Sequence, residues 1–511
     1  MPAPIPSFKD TQDWDNLMLS PLIHEHSECG NLLPHVTRLG RYLDAYLRFD
    51  GADAMVSPSR WQAALQQPLP EYGIGADAVV TEIGRHLLPN ASQIPNPGCT
   101  SFITTGATTI GVLATLAGAV AAPQRLGLHA FSLLEDMSLQ WLADLFGLHG
   151  MQGIYSSGGS VANLLALGAA RQRAFERIGI DPAKSGVRGR TRVFASAESH
   201  HSIHRACAVL GLGRESLVKI PCDEQGRMRV DVLVAQIRQG SGLPIAIVGN
   251  LGTTNAGVID PIASLVEIAR EHGIWLHLDG AYGLPGVLDP VAAPLYEGLE
   301  HADSVIVDPH KWLGAPVGIG ATFVRDRALL QRAFTQEAAA YLEGSQAEQE
   351  FRHSMDSMGT PYGDMGVELS APSRGAVVWA LLREIGRSGI RDRIRRHNAM
   401  ARYLASQVAA DSHLQLLRAP VLSICCFRYV DERIDDLDAL NRSLHRQLIR
   451  NNRNMPSTTQ INGKLAIRPC FIGARTSWQH VDALLDEVRE TGARLVADLL
   501  EDPLKTRSPC N

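Results

Sequence analysis

Short apolar runs alternate with helical patterns between about residues 96 and 370, and this alternation constrains the fold more than any other feature. Most runs are almost wholly apolar, as strands buried on both faces should be. They are Arg192–Ser196, Ile245–Asn250, Ile274–Asp279, Ser304–Asp308 and Ala321–Val324. Strands that alternate with helices in this way predict a mainly parallel sheet covered by helices, and therefore an α/β fold.

One connecting helix can be placed from its ends. Asp260 is a candidate N-cap, and Pro261 suits the first helical turn. Gly273 would end the helix just before the next strand. We therefore expect a helix between the second and third of these strands.

The patterns divide the chain into three parts. Residues 1–95 predict helices broken by proline and glycine, without a catalytic pattern. Residues 96–370 predict the large α/β domain, and residues 371–511 return to helices with two strands, Val421–Phe427 and Lys464–Cys470. Because 511 residues are too many for one compact unit, we expect a helical segment, a large domain and a small α+β domain.

Composition argues against several classes of protein. The chain is 45% hydrophobic and 20% charged, which fits a globular protein and no disordered class. A net charge of -5 without a long basic run argues against a nucleic-acid or anionic-membrane partner. The most apolar stretch, Ile103–Pro123, is rich in Thr, Gly and Ala, and it predicts a buried helix rather than a membrane span.

The N-terminal residues and the cysteines predict a cytoplasmic protein. The N-terminus lacks a basic start followed by an apolar core, so we expect no signal peptide. The eight cysteines show no C-x-x-C spacing. We therefore expect reduced thiols, and neither a disulfide framework nor a zinc site.

Two polar segments follow predicted strands at the edge where ligands collect in open α/β sheets. Tyr155–Ser160 is rich in small residues and precedes a helical pattern, so its N–H groups could close around an anion, although such turns are often purely structural. Ser199–Ser202 holds His200, which could lie flat on an aromatic ring or be an ordinary loop residue. His200 and His204 have the spacing of a metal pair, but no H-E-x-x-H carboxylate accompanies them, so we expect no metal.

An acid and a lysine follow two further strands. Asp279 ends a strongly hydrophobic strand, where a buried carboxylate needs a partner such as a pyridinium nitrogen, unless it serves as a turn or cap residue. Lys311 lies just past another buried strand, where a desolvated amine can attack an aldehyde, although a strand-end lysine taken alone is usually a surface residue. The four segments together fit one cofactor.

These segments resemble the group II pyridoxal 5'-phosphate (PLP)-dependent amino-acid decarboxylases, which include aromatic-L-amino-acid, glutamate, histidine and cysteine-sulfinate decarboxylases. The resemblance runs from about residue 95 to the C-terminus. The matching stretches are Ser157–Leu167, Ser199–Ala206, Leu251–Thr254, Asp260–Ile262, Trp275–Asp279 and Asp308–Leu313. The resemblance implies the PLP-dependent transferase fold type I, with a seven-stranded, mainly parallel sheet, a helical N-terminal arm and a small α+β C-terminal domain.

The resemblance also implies a role for each matched residue. Lys311 carries PLP as a Schiff base, Asp279 pairs with the pyridine nitrogen, and His200 stacks on the ring. The other residues implied to bind the cofactor are Gly159 and Ser160 at the phosphate, Thr254 and Ala281 beside the ring, and Asp308 and His310 next to the lysine. Asp308 departs from the family, because many members have asparagine there and an acid tolerates a phosphate less well.

Substrate-binding residues are implied in the same way. Arg468 matches the arginine that receives the α-carboxylate. Tyr341 falls where the family has a loop tyrosine that returns a proton to the substrate and serves the neighbouring subunit. Phe102 and Thr104 stand in the segment that should line the side-chain pocket. The family's assembly implies a homodimer with active sites at the interface, in which the N-terminal segment wraps the partner subunit.

The implied reaction is decarboxylation of an L-amino acid to its amine and CO2. The alternatives are an aldehyde synthase, which lets oxygen take the decarboxylated substrate to an aldehyde, a lyase of the sphingosine-phosphate type, and a catalytically silent PLP-binding relative. A nicotinamide-binding Rossmann enzyme would need a G-x-G-x-x-G turn, which is missing. Phe102 favours an aromatic substrate, and a small or acidic side chain stays open.

Overall fold

Helices and strands alternate along the chain as the apolar runs predict. The computed structural model describes residues 31–49, 58–123, 130–335 and 362–501. The helices are α1 Leu32–Tyr46, α2 Pro58–Leu65, α3 Ala76–Glu82, α4 Thr109–Ala121, α5 Ala130–Phe146, α6 Gly159–Glu176, α7 Pro182–Ser185, α8 Ser202–Val209, α9 Val230–Gln239, α10 Ile262–His272, α11 Ala328–Phe334, α12 Arg374–Ala409, α13 Leu437–Asn451 and α14 Trp478–Glu501. The strands are β1 Cys99–Thr100, β2 Gln152–Ser156, β3 Thr191–Ser196, β4 Leu217–Ile220, β5 Leu243–Asn250, β6 Trp275–Asp279, β7 Ser304–Val307, β8 Gly320–Val324, β9 Leu414–Arg418, β10 Cys426–Tyr429, β11 Met455–Ile461 and β12 Lys464–Arg468. The chain divides into two units, Met1–Asn96 and Pro97–Asn511.

Helices make up much of the described part of the N-terminal unit. Helix α1 begins after Asn31, whose side-chain oxygen accepts a hydrogen bond from the N–H of Leu33 at 3.2 Å. None of the α1 residues is buried, and Leu32 and Leu33 are 51% and 67% exposed. The start of α1 is therefore open, while Val36, Leu39 and Leu43 are half-buried within the described part of this unit.

The predicted apolar runs form the large sheet, whose seven strands have the order β2-β8-β7-β6-β5-β3-β4. Six strands run parallel, and β8 is antiparallel to its neighbours β2 and β7. Every residue of β3, β6 and β7 is buried, as expected of a sheet covered by helices. The prediction of an α/β fold with a mainly parallel sheet is confirmed.

Helix α10 connects β5 to β6 and ends as predicted at Gly273, which is left-handed with φ of 63°. The prediction that Asp260 caps this helix is wrong, since Pro261 takes the cap position. The buried carboxylate of Asp260 accepts hydrogen bonds from the N–H groups of Met228 at 2.7 Å and Asn250 at 2.8 Å. Burial raises the pKa of Asp260 to about 6. The acid thus holds two chain segments together instead of capping a helix.

A second sheet lies mainly in the C-terminal part and has the order β1-β11-β12-β10-β9. Strand β1 pairs in parallel with β11, and the remaining neighbours are antiparallel. Side chains such as Phe427, Leu444 and Phe471 form a buried cluster between this sheet and helices α13 and α14. One edge strand of this α+β region therefore comes from the beginning of the second unit.

Helix α4 lies within the most apolar stretch of the sequence. The expectation that it is buried is wrong for the single chain, because Val112, Leu113 and Val120 are 45%, 53% and 64% exposed. Within the described ranges, no helix is both long and apolar enough to cross a membrane. The apolar face of α4 is left open by the described residues.

Candidate active site

A cavity of about 360 Å³ lies at the carboxyl ends of the parallel strands in the large sheet. Residues that follow β2, β3, β5, β6 and β7 form its wall. All of the residues predicted to bind a cofactor line it, namely Gly159, Ser160, His200, Thr254, Asp279, Ala281, Asp308, His310 and Lys311. The cavity therefore groups an amine, two carboxylates, two imidazoles and a glycine turn.

The turn between β2 and α6 forms one end of the cavity. Gly158 has φ of 131°, which a residue with a side chain rarely adopts. A Cβ atom at Gly159 would lie 2.7 Å from Oδ2 of Asp308 and 3.3 Å from Cβ of Ala281, so this position admits no side chain. Ser160 follows in the first turn of α6, where unpaired N–H groups attract anions. The turn is thus shaped for a small anionic group.

Asp279 ends β6 with a carboxylate that is nearly buried, at 7% exposure. Its Oδ1 accepts a hydrogen bond from the N–H of Ala281 at 3.1 Å. Its Oδ2 accepts one from Nδ2 of Asn163 at 2.9 Å. Both oxygens face donors, as an ionised carboxylate requires, since it can only accept.

Sequence reasoning missed two buried neighbours of this acid, Asn163 and His277. Nε2 of His277 lies 2.7 Å from Oδ1 of Asn163, and its Nδ1 lies 2.9 Å from Oγ of Ser304. Burial lowers the pKa of His277 to about 4, so its ring is neutral near pH 7. Two signals were available, because Asn163 follows Gly159 by one helical turn and His277 shares a strand face with Asp279.

His200 lies between β3 and α8 on the cavity wall. Its Nδ1 lies 2.8 Å from Oγ of Ser202, and the N–H of Ser202 donates to the same nitrogen at 3.3 Å. Burial lowers the pKa of His200, so its neutral form is favoured. His204 is exposed, and no group of three potential metal ligands occurs among the residues that the structure describes.

Lys311 reaches the cavity from the loop after β7. Its Nζ lies 3.0 Å from Oδ2 of Asp308, which is 2% exposed. Oδ1 of Asp308 is buried without a hydrogen-bond partner in the described part of the chain. Nδ1 of His310 donates to the carbonyl of Ile319 at 2.6 Å, and its Nε2 lies 3.8 Å from Oδ2 of Asp308. A buried carboxylate therefore holds the amine beside the glycine turn.

Arg468, at the end of β12, is 3% exposed and is not among the cavity-lining residues. Its guanidinium donates to the carbonyls of Phe102, Thr254 and Asn255. A further hydrogen bond runs to Oγ of Ser457 at 3.2 Å. The guanidinium is thus largely committed to the backbone next to Thr254, which does line the cavity.

The remaining predicted residues lie away from the described wall. Phe102 is 68% exposed and adopts a left-handed φ of 56°, which is uncommon for an aromatic residue. Thr104 is half-buried and also does not line the cavity. Tyr341 lies outside the described residues. The structure therefore groups the predicted cofactor residues on the wall, whereas Arg468 and Phe102 contact each other behind it and Thr104 does not line it.

PLP carries an aldehyde, a ring nitrogen and a phosphate. The wall supplies a matching group for each of them: an amine for the aldehyde, an acid for the ring nitrogen and a glycine turn for the phosphate. A family model described as the pyridoxal-dependent decarboxylase conserved domain matches residues 58–430. The chain belongs to this family. It is a PLP-dependent carboxy-lyase that decarboxylates an amino acid.

Similar proteins agree on the fold and differ in substrate. The decarboxylase is 26% identical to an aromatic-L-amino-acid decarboxylase of Bacillus atrophaeus over 83% of this chain and 87% of the relative. It is 29% identical to an L-2,4-diaminobutyrate decarboxylase of Rhizobium meliloti over 84% of each chain. It is also 25% identical to a 4-hydroxyphenylacetaldehyde synthase of Rhodiola rosea over 86% of this chain and 90% of the relative. The crystal structure of Oryza sativa TDC with PLP and tryptamine superposes with a TM-score of 0.82 at 21% identity, covering 93% of this chain and 99% of that one.

Proposed function

We propose that this decarboxylase converts an L-amino acid to the corresponding amine and CO2, and that aromatic substrates are favoured over acidic or small ones. The observation that supports the proposal is the grouping of Lys311, Asp279 and His200 on the wall of one cavity. A PLP enzyme needs an amine, an acid and a ring-packing side chain within reach of a single cofactor.

Each wall residue has a role in this proposal. Lys311 binds the aldehyde carbon of the cofactor through Nζ, Asp279 holds a proton at the ring nitrogen, and His200 packs on the ring. When bound, PLP supplies the conjugated ring that takes up the electron pair left as CO2 departs. The residues proposed to complete the cofactor site are Gly159 and Ser160 at the phosphate, with Thr254, Ala281, Asp308 and His310 around the ring and the lysine.

The charges on the wall support a substrate with a neutral side chain. Lys311 is the sole lysine or arginine among the described wall residues, and Asp308 already pairs with it. A substrate with a second carboxylate would add negative charge beside Asp279 and Asp308 without a matching cation. The resemblance to an aromatic-L-amino-acid decarboxylase supports the same choice.

We also propose a homodimer in which Phe102 and Thr104 complete the substrate pocket of the neighbouring subunit. Phe102 is exposed and does not line the cavity of its own chain. Helix α4 leaves Val112, Leu113 and Val120 open, and a second copy on this face would remove that apolar surface from water. Sedimentation equilibrium should give a dimer, and a fully active monomer would contradict the proposal.

The main alternative is an aldehyde synthase, which the Rhodiola rosea relative supports. The two outcomes differ in whether a proton or oxygen reaches the substrate α-carbon first. We propose that Tyr341 donates that proton, and the presence of His200 on the wall favours plain decarboxylation. A Tyr341→Phe variant should therefore lose amine and gain aldehyde and hydrogen peroxide.

The test is an end-point assay of the PLP-loaded protein with L-tryptophan, L-tyrosine, L-phenylalanine, L-2,4-diaminobutyrate, L-glutamate and L-cysteine sulfinate. Products are identified by mass spectrometry while peroxide is measured. We expect an aromatic amine without peroxide. Lys311→Ala should abolish both the visible Schiff-base band and turnover, and Lys219→Ala, on the exposed side of β4, should change neither.

Each other result has a defined meaning. An aldehyde with peroxide would make the enzyme an aldehyde synthase. An amine from an acidic substrate would overturn the substrate class alone. A Schiff-base band without turnover of any amino acid would indicate that the protein is a catalytically silent, PLP-binding relative of the decarboxylases.

A further inference from the structure

A chain of buried hydrogen bonds runs behind Asp279 and connects two histidines that do not touch each other. It begins at Nε1 of Trp275, which donates to Oγ of Ser304 at 2.7 Å. It continues through His277, Asn163 and Ser202, and it ends at His200 on the cavity wall. Trp275, Ser304, His277 and Asn163 are each at most 2% exposed, so water cannot replace these contacts.

The carboxylate of Asp279 determines which atom donates and which accepts in the hydrogen bonds of Asn163. Nδ2 of Asn163 lies 2.9 Å from Oδ2 of Asp279 and 3.0 Å from Oγ of Ser202. Because an ionised carboxylate can only accept, the NH2 end of the amide must face Asp279. The carbonyl end of Asn163 must therefore face His277, 2.7 Å away.

Two ring protons are fixed as a result. Oδ1 of Asn163 is an acceptor, so Nε2 of His277 must carry the proton, and its Nδ1 accepts from the hydroxyl of Ser304. The backbone N–H of Ser202 donates to Nδ1 of His200 at 3.3 Å, so this nitrogen is an acceptor, and the Ser202 hydroxyl, which accepts from Asn163, donates to it at 2.8 Å. Nε2 of His200 then carries the second proton, and among the described residues the hydrogen bonds of this ring are both at Nδ1.

We infer that Asn163 is a positioning residue, whose side-chain amide places the ring protons of both His277 and His200 on Nε2 and holds the Asp279 carboxylate facing the cavity. This inference rests on the proposed function, in which Asp279 and His200 contact the cofactor. Burial lowers the pKa of both histidines, in agreement with two neutral rings. His200 thus meets the proposed cofactor as an uncharged N–H donor, and Asp279 is left as the one anion behind the ring nitrogen.

The direct test is nitrogen NMR of full-length protein labelled with [15N]histidine, recorded with and without PLP. His277→Gln and His200→Gln variants assign the two signals. We expect both rings to be neutral and protonated on Nε2 at pH 7. A charged ring, or a proton on Nδ1 of His277, would overturn the inference.

Variants test the consequence for the reaction. Asn163→Leu removes the amide at similar volume, and Asn163→Asp keeps the shape but removes the donor. Both should shift the visible absorption of the PLP-loaded enzyme and lower kcat by about tenfold or more, with a smaller effect on KM. His277→Gln, which still presents an N–H to Asn163, should retain more activity than His277→Leu.

Asn441→Leu is the matched control, since Asn441 is buried, does not line the cavity and bonds to the backbone of Tyr429. It should lower stability without shifting the absorption band. An Asn163→Leu enzyme with wild-type absorption and kcat would contradict the inference while leaving the proposed function intact. If the wild type forms no Schiff base, the proposed function fails, and the ring protons of the cofactor-free protein still decide the inference.

Discussion

The Nζ of Lys311 and the Oδ2 of Asp308 form an ion pair of 3.0 Å, in which the carboxylate is almost fully buried. The same oxygen would lie 2.7 Å from a Cβ at Gly159, in the turn proposed to hold the phosphate. We expect Asp308→Asn to bind PLP roughly tenfold more tightly, because it removes a negative charge beside that phosphate. Absorption titration of cofactor-free protein measures the change.

Asp498→Asn, on the exposed side of α14, is the control and should leave PLP affinity unaltered. Weaker PLP binding by Asp308→Asn would instead mean that the carboxylate is needed to aim the lysine.

Gly159→Ala should block the cofactor site without unfolding the protein. The added methyl group would enter the space between Asp308 and Ala281, and α6 itself gains a residue with higher helix propensity. We expect PLP affinity to fall by about tenfold or more, while the cofactor-free protein stays folded with a lowered melting temperature, because the Asp308 carboxylate must move to admit the methyl group. At Gly73 an added Cβ meets no atom within 4 Å, so Gly73→Ala serves as the control.

Arg468→Met should destabilise the protein, because it leaves the carbonyls of Phe102, Thr254 and Asn255 without their donor. We expect a loss of about 2–4 kcal/mol in the free energy of unfolding, measured by urea denaturation. Arg450→Met, on the exposed side of α13, should cost little. If Arg468 also receives the substrate α-carboxylate, the KM of Arg468→Met will be higher than that of the wild type. An unchanged KM would mean that Arg468 has a structural role only.

Burial of His397 predicts a loss of stability in mild acid. Its pKa is lowered from 6.5 to about 3, because the ring is desolvated and lies near Arg396 and Arg393. Since the folded-state pKa is the lower one, the stability contributed by the neutral ring is present above pH 6.5 and is lost as pH falls toward 3. We expect this group to remove about 2 kcal/mol of unfolding free energy between pH 7 and pH 5.

His397→Asn keeps an acceptor for Nε1 of Trp312, which donates to Nδ1 of His397 at 3.0 Å. Its stability should therefore depend less on pH over that interval than that of the wild type. His149→Asn, at an exposed turn, should retain the wild-type dependence. An identical pH dependence in His397→Asn would mean that other groups cause the acid sensitivity.

The cofactor cavity could be predicted because strand ends leave a clear mark in the sequence. Asp279 and Lys311 each follow an apolar run, and the carboxyl ends of parallel strands meet at one edge of a sheet. Polar residues at those ends are brought together whatever the lengths of the intervening helices. The grouping of these two residues therefore follows from the strand pattern, whereas their roles toward a cofactor come from the resemblance to the family.

Other features depend on partners that periodicity does not identify. Asp260 looks like a helix cap but bonds to Met228, 32 residues away. The hydrogen bond from Arg468 to Phe102 spans 366 residues. Asn163 sits in an ordinary helical pattern, and its hydrogen-bond partners come from two other elements, α8 and β6. Such contacts are set by the tertiary structure, so a local pattern carries little trace of them.

The pairing of β1 with β11 has a consequence for how the protein is made. Ser101 bonds to the carbonyl of Met455, 354 residues further along the chain. At 5–20 residues per second, a ribosome needs roughly 20–70 s to synthesise that interval. During this time β6, which ends at the cavity residue Asp279, and β7, which precedes the cavity residue Lys311, can fold. The segment around Phe102 cannot form its hydrogen bond to Arg468 until that residue has been synthesised. A chain released before β12 would therefore carry the PLP lysine but lack the bonds that fix the segment around Phe102.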